Sequence, residues 1–435
     1  MAKSITHNRE QWQSKWGFIL ASAGSAVGLG NFWRFSYLVG MNGGAAFVLV
    51  YLASVLVIGV PLMIAEFLLG KLTGLSIVSA FRKISGNRKL WVALGLIGVV
   101  ASFVTLGYYA VIGGWVVGYL GQSLSGNLPR DPATADAAFR IFSTTPALQI
   151  VWYTLFSWIV ATIVSRGVRA GIEKYNRILM LMFLMLLTGM AIYALTLPGA
   201  REALSFMFKF DASKITPLVT LLAVGHTFFS LSLGAGIMIA YGSYLPKKIT
   251  LPFASIVISV IDVIVALLAG LVIFSIVFSF GLFPDSGTGI AFVTLPPLFA
   301  VMPGGTWLAT IFFFMLAAAA ITSAVSILEV VAVYLMDEWK VSRQVSTWGS
   351  AIAIYLFGLI WTANDITLVD KIAGGYLLVL GALAVALLVG WVVPLSNLAK
   401  LLQTKATHPV LRGFYFLNRY LIPITLVWLL LSGTF

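Results

Sequence analysis

The chain has no cysteine, which excludes disulfides, thiolate metal sites and cysteine nucleophiles and leaves the redox compartment unread. Charge is nearly as scarce. Only 9% of its 435 residues are Asp, Glu, Lys or Arg, and just 14 are acidic, against about a quarter charged in an ordinary soluble domain. Its three histidines, His7, His226 and His408, stand too far apart for metal-ligand spacing. No nucleophile–base motif, metal cluster or nucleotide-binding loop is present, so an enzyme is not expected. What fills the chain is apolar: 60% hydrophobic residues and a mean hydropathy of +1.02. That is the composition of an all-α polytopic membrane protein.

Apolar runs long enough to cross a ~30 Å hydrocarbon core fall near 13–37, 44–70, 90–121, 147–165, 177–198, 217–245, 250–280, 305–336, 345–363, 371–393 and 415–433, predicting eleven transmembrane helices. Turn punctuation such as Asn42-Gly43-Gly44, Leu197-Pro198-Gly199 and Pro303-Gly304-Gly305 separates them. No linker or composition shift divides residues 1–435, so a single transmembrane domain is expected. The polar start Met1–Lys15 does not read as a cleaved signal peptide. Basic residues crowd the loops on the N-terminal side, with Arg82, Lys83, Arg88 and Lys89 in one and Arg166, Arg169, Lys174 and Arg177 in another. The opposite loops carry only Arg34, Arg130, Arg140, Arg201, Lys209, Lys214 and Lys371. This bias puts the N-terminus in the cytoplasm and the C-terminus outside. The net charge of +13 is then a matter of topology and calls for no nucleic acid.

Two runs are broken where a membrane helix should be regular. The first contains Gly24-Ser25-Ala26-Val27-Gly28-Leu29-Gly30-Asn31-Phe32-Trp33-Arg34-Phe35. Glycine inside a helix costs about 1 kcal/mol relative to alanine. Either Gly24 and Gly28 make a close helix–helix contact, or the helix unwinds and its free carbonyls and amides face a polar cavity. In the sixth run, His226-Thr227-Phe228-Phe229-Ser230-Leu231-Ser232-Leu233-Gly234-Ala235-Gly236, serines and glycines interrupt the apolar sequence in the same way. Runs one and six are five apart and cross in opposite directions. Such a pair predicts two inverted five-helix repeats, about 13–198 and 217–393, with broken helices 1 and 6, a midplane site for substrate and coupling ion, and one extra helix at 415–433.

Glu66, Asp262 and Glu329 fall inside apolar runs, where a carboxylate is expensive and a functional candidate by default. Asp262 has no basic neighbour in sequence. It is either a protonated carboxyl bonded to backbone or an ionised ligand for a hard cation such as Na+. Glu66 suits the capping of free amides in an unwound helix, and Glu329 either lines an inner exit or pairs with a hydroxyl. In the eighth run, Ala319-Ala320-Ile321-Thr322-Ser323, the hydroxyls bond back to their own helix or join backbone carbonyls in holding Na+, which takes oxygen ligands.

Gly28–Phe35, Phe229–Gly234, Ala320–Ser323, Gly59-Val60-Pro61-Leu62-Met63 with Glu66, and Tyr108-Tyr109 with Trp115 resemble the neurotransmitter:sodium symporter family, over about Arg9 to Trp391. Eleven runs resemble its shorter bacterial members. The resemblance implies a cell-membrane symporter that couples amino-acid movement to sodium by alternating access. It implies one sodium site from the Ala26 carbonyl, Asn31, Ser230 and Asp262 with the substrate carboxylate, and a second from the carbonyls of Gly24, Val27 and Ala319 with the hydroxyls of Thr322 and Ser323. Substrate contacts would come from Ser25, Ala26, Gly28, Gly30, Tyr109, Phe229, Ser230, Ser232, Ala235, Ser323 and Ile327. Arg34 and Asp370 would form the outer gate, and Arg9, Asp337, Ser243 and Tyr244 the inner one.

Half-helix N-termini hold a carboxylate, and the Tyr109 hydroxyl can donate to it. Members that carry monoamines have Asp at the position of Gly28, so neutral L-amino acids are expected. Ala235 stands where a bulky side chain is common, which favours large hydrophobic or aromatic substrates. Chloride-dependent members hold an anion beside the first sodium site. Here Ala266 replaces their hydroxyl, His226 their amide and Asp262 their neutral ligand, so no chloride requirement is expected, with Asp262 supplying the fixed negative charge. His226 reads as a hydrogen-bonded structural residue, though its ordinary pKa permits proton antiport. Ser36 replaces a proline with no consequence that follows from its chemistry. The alternative is an amino-acid sensor on the same scaffold, which binds without transporting.

Overall fold

The fold is that of a computed structural model, which describes residues 9–246, 249–283, 289–402, 405 and 407–433; His7 lies outside them. No strand occurs among the described residues. The first apolar run is split into α1 (Lys15–Ala26) and α2 (Trp33–Met41). Then come α3 (Ala45–Thr73), α4 (Lys89–Leu124), α5 (Pro146–Ser165) and α6 (Val168–Ala194). The sixth run is likewise split, into α7 (Pro217–Ser230) and α8 (Ile237–Gly242). It is followed by α9 (Leu251–Ser279), α10 (Gly305–Trp339), α11 (Arg343–Thr362), α12 (Thr367–Val392) and α13 (Pro409–Ser432). Among the described residues, nine helices are long and apolar enough to cross a membrane, the two split runs standing apart from that number.

Position within the bundle follows from which faces are apolar. α10 packs along α4 at the centre, with α1 against α6, α9 and α10, and α1 and α10 are buried over most of their length. α5 and α6 instead expose Leu155, Trp158, Leu181 and Met185, as helices bordering lipid do.

Local chemistry explains both breaks. α1 starts after Ser14, whose hydroxyl accepts the Gly17 N–H at 2.8 Å, and the Glu173 carboxylate accepts the Gln13 N–H at 2.7 Å, an anion at the positive end of the helix. A Cβ on Gly17 would fall 1.8 Å from Glu173 Oε1, so this approach requires glycine. α1 ends at Ala26. Val27 and Gly28 are extended, and one tight turn at Leu29–Asn31 leads into α2. The Asn31 side-chain oxygen takes up the Gly28 N–H at 2.9 Å. In the second break Ser232, Gly234 and Gly236 have φ of 54, 87 and 80°, the left-handed region where glycine is unstrained. Glu66 accepts the freed Gly234 N–H at 2.7 Å, the capping role its position suggested.

Candidate functional site

A cavity of about 50 Å³ lies between the two breaks. All of Ser25, Ala26, Gly28, Gly30, Tyr109, Phe229, Ser230, Ser232, Ala235, Ser323 and Ile327 line it. The Ser232 hydroxyl donates to the Ser25 carbonyl at 2.8 Å, tying one break to the other, and Ser25 and Ser326 hydroxyls meet at 2.7 Å. The Tyr109 hydroxyl is buried and makes no close hydrogen bond, with only the Ser323 hydroxyl and the Leu29 backbone as polar neighbours. A Cβ on Gly28 would stand 2.9 Å from Ser323 Oγ and 3.4 Å from the Tyr109 hydroxyl, so a side chain at position 28 would occupy the same space as a ligand. A Cβ on Gly30 would be 2.5 Å from the Phe229 ring.

At one side of the cavity Asp262, fully buried, accepts from the Asn31 amide at 2.8 Å, the Ser230 hydroxyl at 2.7 Å and the Tyr51 hydroxyl at 3.0 Å. Asn31, Ser230 and Asp262 are thus brought together. Tyr51 is the member that sequence reasoning missed. Its signal was a phenol inside an apolar run, where a buried hydroxyl needs a partner.

On the other side the Ser323 hydroxyl sits 3.4, 3.2 and 3.2 Å from the carbonyl oxygens of Gly24, Ser25 and Val27. Thr322 Oγ1 lies 3.0 Å from the Ala319 carbonyl, and Thr322 packs against Gly24, where a Cβ would meet its side chain at 3.1 Å. Several carbonyl oxygens therefore share very few protons. A hard cation fits such a donor set, because Na+ and Ca2+ are held by carbonyl and hydroxyl oxygens. Thr322 also bonds back to Ala318 at 3.1 Å, so the two readings of its hydroxyl are compatible. Among the described residues no cluster of three or more His, Cys, Asp or Glu forms a transition-metal site.

His226 departs from expectation. Neither of its nitrogens has a hydrogen-bond partner. The ring is held instead by aromatic packing, with centroids 5.2 Å from Tyr51 and 5.8 Å from Phe35, because the nearby Tyr51 hydroxyl is already engaged by Asp262.

The ends of the cavity differ. A vestibule of about 480 Å³ adjoins it across Leu29, Gly30, Tyr109 and Phe229 and extends to Arg34 and Asp370. Arg34 and Asp370 approach to 3.9 Å, the guanidinium lies over the Phe229 ring at 4.5 Å, and Tyr108 donates to Asp370 at 2.7 Å. At the opposite end Arg9 pairs with Asp337 at 3.2 Å, bonds the Gly74 carbonyl and stacks on Tyr244. The indole N–H of Trp12 donates to the Tyr241 carbonyl at 3.0 Å. Ser243 turns its hydroxyl to Ala240 at 2.6 Å and bonds neither Arg9 nor Asp337, since a short helix offers it a nearer carbonyl.

Glu329 is paired with Tyr244 at 2.5 Å, as one expectation had it, and also with Arg343 through two bonds of 2.9 and 3.0 Å. Removing one partner of a buried pair costs about 3–5 kcal/mol, whereas removing both leaves no unpaired charge. Glu329→Gln is therefore expected to lower the unfolding temperature of the purified protein markedly, and Glu329→Gln with Arg343→Gln to recover part of the loss. A loss no larger than that of a surface substitution would show the pair to be dispensable.

The family model described as "Sodium:neurotransmitter symporter family" matches residues 9–139 and 143–434. The sodium-dependent transporter YhdH of Bacillus subtilis is 32% identical over 97% of this chain and 97% of its own. A sodium-dependent transporter of Haemophilus influenzae is 33% identical over 98% of each. Among solved structures, that of MhsT in complex with L-phenylalanine superposes with a TM-score of 0.90 at 39% identity, covering 98% of this chain and 100% of that one.

Proposed function

The chain belongs to the sodium:neurotransmitter symporter family, and from that premise we propose that it is a symporter of neutral, hydrophobic or aromatic L-amino acids that moves them with sodium by alternating access. It is a sodium-dependent membrane transporter by family, not an enzyme. The observation that carries the substrate class is the Tyr109 hydroxyl, buried in the cavity wall without a close hydrogen bond and facing a glycine that leaves the space before it free. Buried polar groups are nearly always satisfied, and a substrate carboxylate supplies the missing acceptor. The phenylalanine held by MhsT and the apolar lining from Ala235, Ile237, Ile327 and Leu378 support a large apolar side chain.

Two sodium ions are proposed as co-substrates. One is held by Asn31, Ser230, Asp262, the Ala26 carbonyl and the substrate carboxylate. The other is held by the carbonyls of Gly24, Val27 and Ala319 with Thr322 and Ser323. Arg34 with Asp370, and Arg9 with Asp337, are the outer and inner gates, Tyr244 and Ser243 lying at the inner one. A single domain of eleven spans, built from inverted halves with its N-terminus in the cytoplasm, completes the proposal, supported by the charge asymmetry of the loops.

Labelled amino acids offered to the purified protein should bind in sodium and not in potassium. Equal binding in potassium overturns the coupling. With Asp262 already supplying negative charge beside the first ion, uptake is expected to be the same when gluconate replaces chloride, and a collapse of uptake in gluconate would overturn chloride independence.

A further inference from the structure

Within the cavity wall, only Tyr109 and Thr105 carry hydroxyls that make no close hydrogen bond among the described residues. The serines there are committed: Ser102 to the Ala235 carbonyl at 2.9 Å, Ser230 to Asp262 and Ser232 to Ser25. Many helical threonines return their hydroxyl to the carbonyl four residues earlier, Thr154 at 2.6 Å, Thr188 at 2.7 Å, Thr310 at 2.8 Å and Thr227 at 3.0 Å, as is usual for the residue, although the buried Thr347, outside the cavity, makes no such bond. Thr105, only 8% exposed in the middle of α4, makes none either. It stands one turn from Tyr109 on the same face, about 6 Å along the helix, towards Ser102 and Ala235. An amino acid whose carboxylate meets Tyr109 therefore extends its side chain past Thr105.

We infer that Thr105 selects among large substrates by hydrogen-bonding a polar group carried on the substrate's side chain, so that an aromatic amino acid with a hydroxyl or ring N–H binds in preference to phenylalanine. This rests on the amino-acid reading given above. A hydroxyl desolvated by an all-carbon ring stays unpaired, whereas a phenol or indole satisfies it. Sites built to bond a substrate OH or NH discriminate strongly against analogues that lack it. Threonine can donate to a phenol oxygen and accept from a phenol O–H or an indole N–H, so either tip suits it.

The experiment is competition by phenylalanine, tyrosine and tryptophan for a sodium-dependent labelled ligand on purified wild type, Thr105→Val and Thr105→Ser. Valine keeps the shape and removes the hydroxyl; serine restores it. For wild type, tyrosine or tryptophan is expected to compete about tenfold or more better than phenylalanine. Thr105→Val is expected to erase that preference while leaving phenylalanine binding equal or tighter, and Thr105→Ser to keep it. If wild type shows no preference for a polar tip, or valine weakens all three alike, the role of Thr105 is overturned while amino-acid binding stands. If none of the three competes in sodium, the aromatic substrate reading falls, and this inference with it.

Discussion

Replacing Asp262 by alanine is expected to raise the sodium concentration needed for half-maximal substrate binding by about a hundredfold or more. The carboxylate is fully buried and collects three donors, from Asn31, Ser230 and Tyr51. Hydrogen bonds to a charged group are each worth about 1.5–3 kcal/mol, and removing the acceptor leaves its donors unsatisfied as well. A hundredfold change corresponds to about 2.7 kcal/mol, within reach of losing the charge alone. Asp262→Asn keeps the shape and one acceptor oxygen, so it is expected to fold better than alanine yet still bind sodium weakly. Titrating sodium at fixed labelled substrate reads the effect, and thermal unfolding of both variants separates it from misfolding. A sodium requirement like that of wild type in Asp262→Asn would remove the carboxylate from the ion site.

Tyr109→Phe has the second large effect. Removing one hydroxyl that meets a carboxylate should weaken substrate binding by about ten- to a hundredfold, the equivalent of about 1.4–2.7 kcal/mol. In the free protein that hydroxyl makes no close hydrogen bond, so its removal should change stability little. Lower affinity without lower stability is the signature of a group kept for its ligand. Unchanged affinity in Tyr109→Phe would mean that the substrate carboxylate is held elsewhere.

The breaks were legible because glycine and serine inside an apolar run have few structural uses. Gly28, Ser230, Gly234 and Gly236 all sit where regular helix stops. The capping role of Glu66 followed from the need of freed amides for an acceptor. The family resemblance supplied the residues that face one cavity, something spacing alone does not give. What stayed hidden was long-range pairing. Tyr51 meets Asp262 across 211 residues; a phenol inside an apolar run signals the need for a partner, but nothing local in α3 says which. Arg343 lies one hairpin beyond Glu329 and reaches back to it, a pairing that no pattern in the apolar runs announces. Ser102 and Thr105 were within reach of sequence reasoning, since seven and four residues before Tyr109 lie on one helix face. His226 was misjudged because its partners are rings, and a polar side chain satisfied mainly by aromatic packing leaves no sequence signature.

The coupling of substrate to sodium is tested most directly by uptake of a labelled aromatic amino acid into liposomes containing the purified protein. With sodium outside and potassium inside, label should accumulate above its external concentration and leave again when the gradient is collapsed. Equal, non-accumulating entry in potassium alone, or binding in sodium with no entry at all, would contradict sodium-coupled transport; the latter result is the behaviour of a sensor.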